Sequence, residues 1–115
     1  MLAKKDQIPQ NAENAPMGGA GWLLLDKMSL AVTMPGVIKT FAKATLAPGG
    51  EVGYHIHSTD SEAYYILSGE GDYTEDGVTT RVGVGDVTYT PMGEGHGIKN
   101  VGKENLEFIA LILNV

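Results

Sequence analysis

The chain has only three histidines, and their spacing, with one carboxylate, marks where chemistry would occur. His55 and His57 are two residues apart, so on an extended strand both imidazoles leave the same face. Glu62 follows five residues after His57, close enough to return to that face after a short bend. His96 comes only after a loop holding Pro91 and Gly93, so the fold alone could bring it alongside. Three imidazoles and a carboxylate meeting at one point are a mixed donor set for a single divalent transition metal (Mn, Fe, Co, Ni or Zn). Such a set leaves one or two coordination positions for water or a chelating substrate. The competing reading is three ordinary surface or core histidines.

β-Strands must position these groups. Residues 21–26 hold Trp22 and three leucines and read as a short buried strand; residues 27–32 extend it or turn. After the turn at Met34-Pro35-Gly36, residues 37–46 alternate, with Ile38, Thr40, Ala42, Ala44 and Leu46 on one face. Ala47-Pro48-Gly49-Gly50 ends that strand. Residues 52–57 form the first ligand strand, 58–61 a polar bend, and 62–67 a strand sharing Glu62, Tyr64 and Ile66 on one face. Residues 71–75 and 78–82 flank Asp76-Gly77, a hairpin signal because a type I′ turn needs positive φ at both centres. Residues 87–90, 96–100 and 106–113 supply three more strands. Eight or nine short strands without an amphipathic helix give an all-β sandwich or barrel. Residues 21–115 form that domain, and residues 1–20 read as a flexible or partner-contacting arm.

The same parity carries Tyr64 and Ile66 inward after Glu62, and Ile98 inward after His96. Tyr64 is the one candidate beyond the ligands for contact with a substrate oxygen; a core aromatic is its alternative role. Phe41, Phe108 and Ile112 are candidate pocket walls. Tyr54, Tyr65, Tyr73 and Tyr89 receive no role, and Lys39, Lys43 and Arg81 read as a solvated face. Asn100 reads as holding a turn or a neighbouring strand.

The 115 residues are enough for one domain with a real core. A net charge of −6, with no basic cluster beyond Lys4-Lys5, argues against nucleic acid and anionic membrane surfaces. There is no cysteine, so no disulfide or thiolate site. The runs 22–25 and 108–113 are too short to span a bilayer. The expectation is a soluble, cytoplasmic protein. The last strand is apolar on both faces, apart from Glu107, and so needs cover on both. A second copy of the chain is the expected cover, giving a homodimer.

The ligand spacing also resembles a known pattern. Gly49-x5-His55-x-His57-x4-Glu62-x6-Gly69 is similar to the first motif of the cupin superfamily at every defined position. Gly85-x5-Pro91-x-Gly93-x2-His96-x3-Asn100 is similar to the second, and the short segment between them resembles the small single-domain cupins of the conserved-barrel type. The resemblance implies a double-stranded β-helix, or jelly-roll, barrel with His55, His57, Glu62 and His96 as metal ligands. It also implies metal-dependent chemistry on a small oxygen-chelating organic substrate, of dioxygenase, isomerase or decarboxylase type. A non-catalytic protein that binds a sugar or organic acid through its metal is the alternative, and a purely structural metal a third.

Overall fold

In the computed structural model, which describes residues 1–115, ten strands form two antiparallel sheets. They are β1 (Gln10–Asn14), β2 (Trp22–Lys27), β3 (Ile38–Leu46), β4 (Glu51–Ile56), β5 (Ser61–Ser68), β6 (Gly71–Glu75), β7 (Val78–Val82), β8 (Val87–Thr90), β9 (Gly95–Asn100) and β10 (Leu106–Leu113). The larger sheet runs β1-β2-β3-β10-β5-β8 and the smaller β4-β9-β6-β7. Sequence neighbours such as β3 and β4 lie in different sheets, so the chain crosses between layers, as in a jelly-roll barrel.

Period-two alternation decides what lies between the layers. Leu23 pairs with Leu46, Phe108 with Ala44 and with Ile66, and Ala110 with Tyr64, which gathers one face of the larger sheet. Those residues and Val52, Tyr73, Val82, Ile98 and Leu106 make the buried core. β10 sits between β3 and β5. Its outward Ile109 and Leu111 stay half-buried within one chain. Asp76 and Gly77 take φ of 49° and 73° and close the β6–β7 hairpin, as a type I′ turn requires.

Three expectations need correction. Residues 10–14, assigned to a flexible or partner-contacting arm, form β1 and pair with β2 of their own chain. Gln10–Asn14 lacks β-branched and aromatic residues, so its propensity argues against a strand; the open edge of β2 supplies the ladder that overrides it. Trp22, expected inside a buried strand, is 56% exposed, because the inward register of β2 belongs to Leu23 and Leu25. Residues 28–30 neither extend β2 nor form a plain turn but a short 3-10 helix. No helix is long and apolar enough to cross a membrane.

Candidate metal centre

The site is built where β4 and β9 face β5. His55 stands opposite His96 in the β4–β9 ladder, yet Val52 stands opposite Ile98. Three residues of β4 therefore span two of β9, which is a β-bulge at Gly53–Tyr54. The bulge lets Val52 and His55 both point inward despite their odd spacing. His57 lies one residue beyond β4 and is fixed by its amide donating to the Glu94 carbonyl at 2.9 Å and its carbonyl accepting from Gly93 at 2.7 Å. The Pro91–Glu94 loop thus holds one ligand and delivers the next. Glu62 opens the inward face of β5, opposite Ile112 and Thr90.

The structure brings His55, His57, Glu62 and His96 together, with their ligand atoms within 4.8 Å of one another, a cluster able to hold a metal ion. His96 is fully buried, and His57 and Glu62 nearly so. The Nε2 atoms of His55 and His57 are 3.1 Å apart, and those of His57 and His96 3.0 Å apart. Glu62 Oε1 lies 3.0 Å from His96 Nε2 and 3.1 Å from His57 Nε2. With metal–ligand bonds of about 2.0–2.1 Å, adjacent donors sit about 2.9 Å apart at an octahedral ion and about 3.3 Å apart at a tetrahedral one. The observed 3.0–3.1 Å lies between the two values, so the four donors are spaced to share one ion.

The outer nitrogens test whether the donors fit an ion. His55 Nδ1 lies 2.7 Å from the Gly53 carbonyl, which can only accept, so the proton sits on Nδ1. His57 Nδ1 donates to the Asp60 carboxylate at 2.6 Å. In the neutral rings both Nε2 atoms then carry lone pairs facing each other across 3.1 Å. That contact is repulsive unless a proton or a cation lies between them. The donor set therefore fits a bound cation.

Burial and neighbouring carboxylates shift the cluster's groups in different directions. The hydrogen bond to Glu62 is the largest influence on His57 and, with Asp60, raises its pKa above the usual 6.5 against the effect of burial. Burial acts first on His55 and lowers its pKa. For Glu62 burial is the largest single influence and opposes ionisation, but hydrogen bonds from His57 and His96 outweigh it and keep the pKa below 4.5.

Several supporting groups were not legible beforehand. Asp60 also accepts from Lys39 Nζ at 2.8 Å, so Lys39 braces a ligand from behind instead of standing on a merely solvated face. The carboxylate three residues after His57 was the available signal. Tyr73, given no role in the sequence reading, places its hydroxyl 3.0 Å from His96 Nδ1 and 2.9 Å from Thr90 Oγ1. Thr90 Oγ1 is itself 2.9 Å from His96 Nδ1. These partners come from two strands of different sheets, which local spacing does not reveal. Tyr64 stacks on His96 with ring centroids 4.9 Å apart. Burial, and then the charge of Glu62, push its phenol well above 10.0, so it keeps its proton. Asn100 donates to the Leu46 and Glu104 carbonyls and accepts from Gly102, away from the cluster.

A cavity of about 180 Å³ opens beside the cluster, with Tyr64, Phe108, Ala110 and Ile112 in its wall. Phe41, the third expected wall residue, points to the other face of β3 and does not line it. Among the further groups that line it are Glu13, Pro16 and Met17 from the N-terminal segment, and Lys27.

The fold and site define a cupin: residues 42–112 match the cupin domain family, and the chain belongs to that family. Among curated relatives it is 34% identical to the oxalate-binding protein of Thermotoga maritima, over 98% of this chain and 93% of that one. A Thermotoga maritima crystal structure, described as a predicted oxalate decarboxylase, superposes with a TM-score of 0.90 at 34% identity, covering all of both chains. The chain is also 37% identical over 82 residues to the oxalate decarboxylase of Bacillus subtilis, of which it covers 21%.

Proposed function

We propose that this cupin holds one divalent transition metal on His55, His57, Glu62 and His96 and uses it to bind a small dicarboxylate of the oxalate type. The observation that carries this reading is the convergence of four donors, three buried and His55 half-buried, beside a small, mainly apolar cavity that His55, His57 and Glu62 line. The relative named for oxalate binding, matched over nearly its whole length, supports the ligand class. A bound ion would supply Lewis acidity and two coordination positions for carboxylate oxygens. The chain's own residues do the rest. Asp60 and the Gly53 carbonyl set which nitrogen of His57 and His55 faces inward. Tyr73 and Thr90 fix the ring of His96, and Tyr64 offers a protonated hydroxyl from the wall. Phe108, Ala110 and Ile112 exclude water and limit ligand size.

Binding without turnover is favoured because Glu62, the carboxylate at the cluster, belongs to the donor set. Calorimetric titration of Mn-loaded protein with oxalate should give one site per chain, with oxalate recovered unchanged after long incubation. No heat and no competition by oxalate would overturn the reading.

One observation favours a second reading. Glu13 lines the same cavity and is no part of the cluster. Its carboxyl could deliver the proton when the carbon–carbon bond of oxalate breaks to carbon dioxide and formate. Formate release by wild type, abolished in Glu13→Gln, would establish this enzymatic role. A cytoplasmic homodimer belongs to the same proposal, and the apolar outer side chains Ile109 and Leu111 of β10 support its dimeric part.

A further inference from the structure

The inward face of β2 reads Leu23, Leu25, Lys27, so an apolar row ends in a cation. Lys27 pairs with Ala42 in the ladder to β3. It is half-buried and lines the cavity that also holds His55, His57 and Glu62. Lys39, Lys43 and Arg81 are paired with Asp60, Glu107 and Asp72, whereas Lys27 has no carboxylate partner. The other charged group on the wall outside the cluster is Glu13, which stands opposite Leu23. Leu23 is four residues from Lys27, roughly 13 Å along β2, so Glu13 does not neutralise it. A half-buried lysine with no carboxylate partner, on the wall of a mainly apolar cavity, leaves its cation free to pair with an incoming anion.

Charge accounting shows which anion. A divalent ion with three neutral imidazoles and one carboxylate carries one net positive charge. A monoanionic chelator brings the centre to neutrality, and a dianionic one leaves a surplus negative charge facing the cavity. We propose that Lys27 is a specificity-determining residue, pairing with that surplus charge and selecting dicarboxylates over monoanionic chelators of the same size. This rests on the metal-anchored binding reading above and adds to it the residue that reads ligand charge.

The test compares oxalate with glycolate, a monoanion of the same chain length, by calorimetry on Mn-loaded wild type, Lys27→Met and Lys27→Arg. Methionine suits the apolar wall, and metal content and thermal unfolding are measured on each protein. Lys27→Met should weaken oxalate by about tenfold or more and glycolate by less than about twofold, with metal content unchanged. Lys27→Arg should restore most of the oxalate affinity. Equal losses for both ligands, or no loss for oxalate, would overturn the role of Lys27 while leaving metal-anchored binding intact. If wild type binds neither ligand, the binding reading fails and the role of Lys27 fails with it.

Discussion

At the scale of single residues, the ligand atoms are aimed by groups that never touch an ion. Asp60 accepts from His57 Nδ1 and is braced by Lys39. Asp60→Asn should therefore weaken metal binding by about 10–100-fold without unfolding the chain, read by chelator competition. Unchanged affinity would mean that Asp60 serves only Lys39. Proton competition gives a second expectation. His57 must give up the proton it holds above the usual 6.5 before its Nε2 can bind a metal. Metal affinity should fall as pH drops from about 8 to 6, by about one decade per unit where one proton is displaced. A flat profile over that range would contradict it. The four ligand-type residues were legible because the chain has so few histidines and because their spacing has the period of a strand. Asp60, Lys39 and Tyr73 were not. Their roles exist only once a bend turns Asp60 under His57, and once β3 and β6 bring Lys39 and Tyr73 to it and to His96.

At the scale of elements, the strand pattern was legible wherever apolar alternation and turn residues agreed, as in β3, β5 and the Asp76-Gly77 hairpin. It failed at β1, whose polar sequence is ordered by the edge it joins. The segment after β1 is pinned to β4 by contacts that admit no side chain. A Cβ on Gly53 would stand 2.2 Å from the Met17 carbonyl oxygen, and one on Gly19 would stand 1.8 Å from that of Glu51. Ala20 and Glu51 exchange two backbone hydrogen bonds there. Pro16 and Met17 line the cavity, so this strap forms part of its wall. Gly53→Ala should push the strap off β4, exposing residues 15–21 to limited proteolysis and lowering stability by about 1–3 kcal/mol. Wild-type resistance in that variant would show that the strap contributes no closure. The β4 bulge was equally invisible in the sequence, because the two-residue spacing of His55 and His57 says nothing about the ladder before them.

At the scale of the whole molecule, the larger sheet has one face in the core and one left to solvent or a partner. Ile109 and Leu111 are half-buried on that outer face, beside exposed Tyr65, Val87 and Tyr89 on β5 and β8. The proposed homodimer would cover this surface. Light scattering at micromolar concentration should give twice the chain mass, and Leu111→Lys should shift the protein to monomer. A wild-type monomer would contradict the assignment. The central claim, that the four converging donors hold an ion, is tested most directly by elemental analysis of protein purified without added metal or chelator, beside His57→Ala. The expected result is about one equivalent of Mn, Fe, Co, Ni or Zn per chain in the parent and none in the variant. A parent that stays metal-free even after reloading with each of these ions would contradict it.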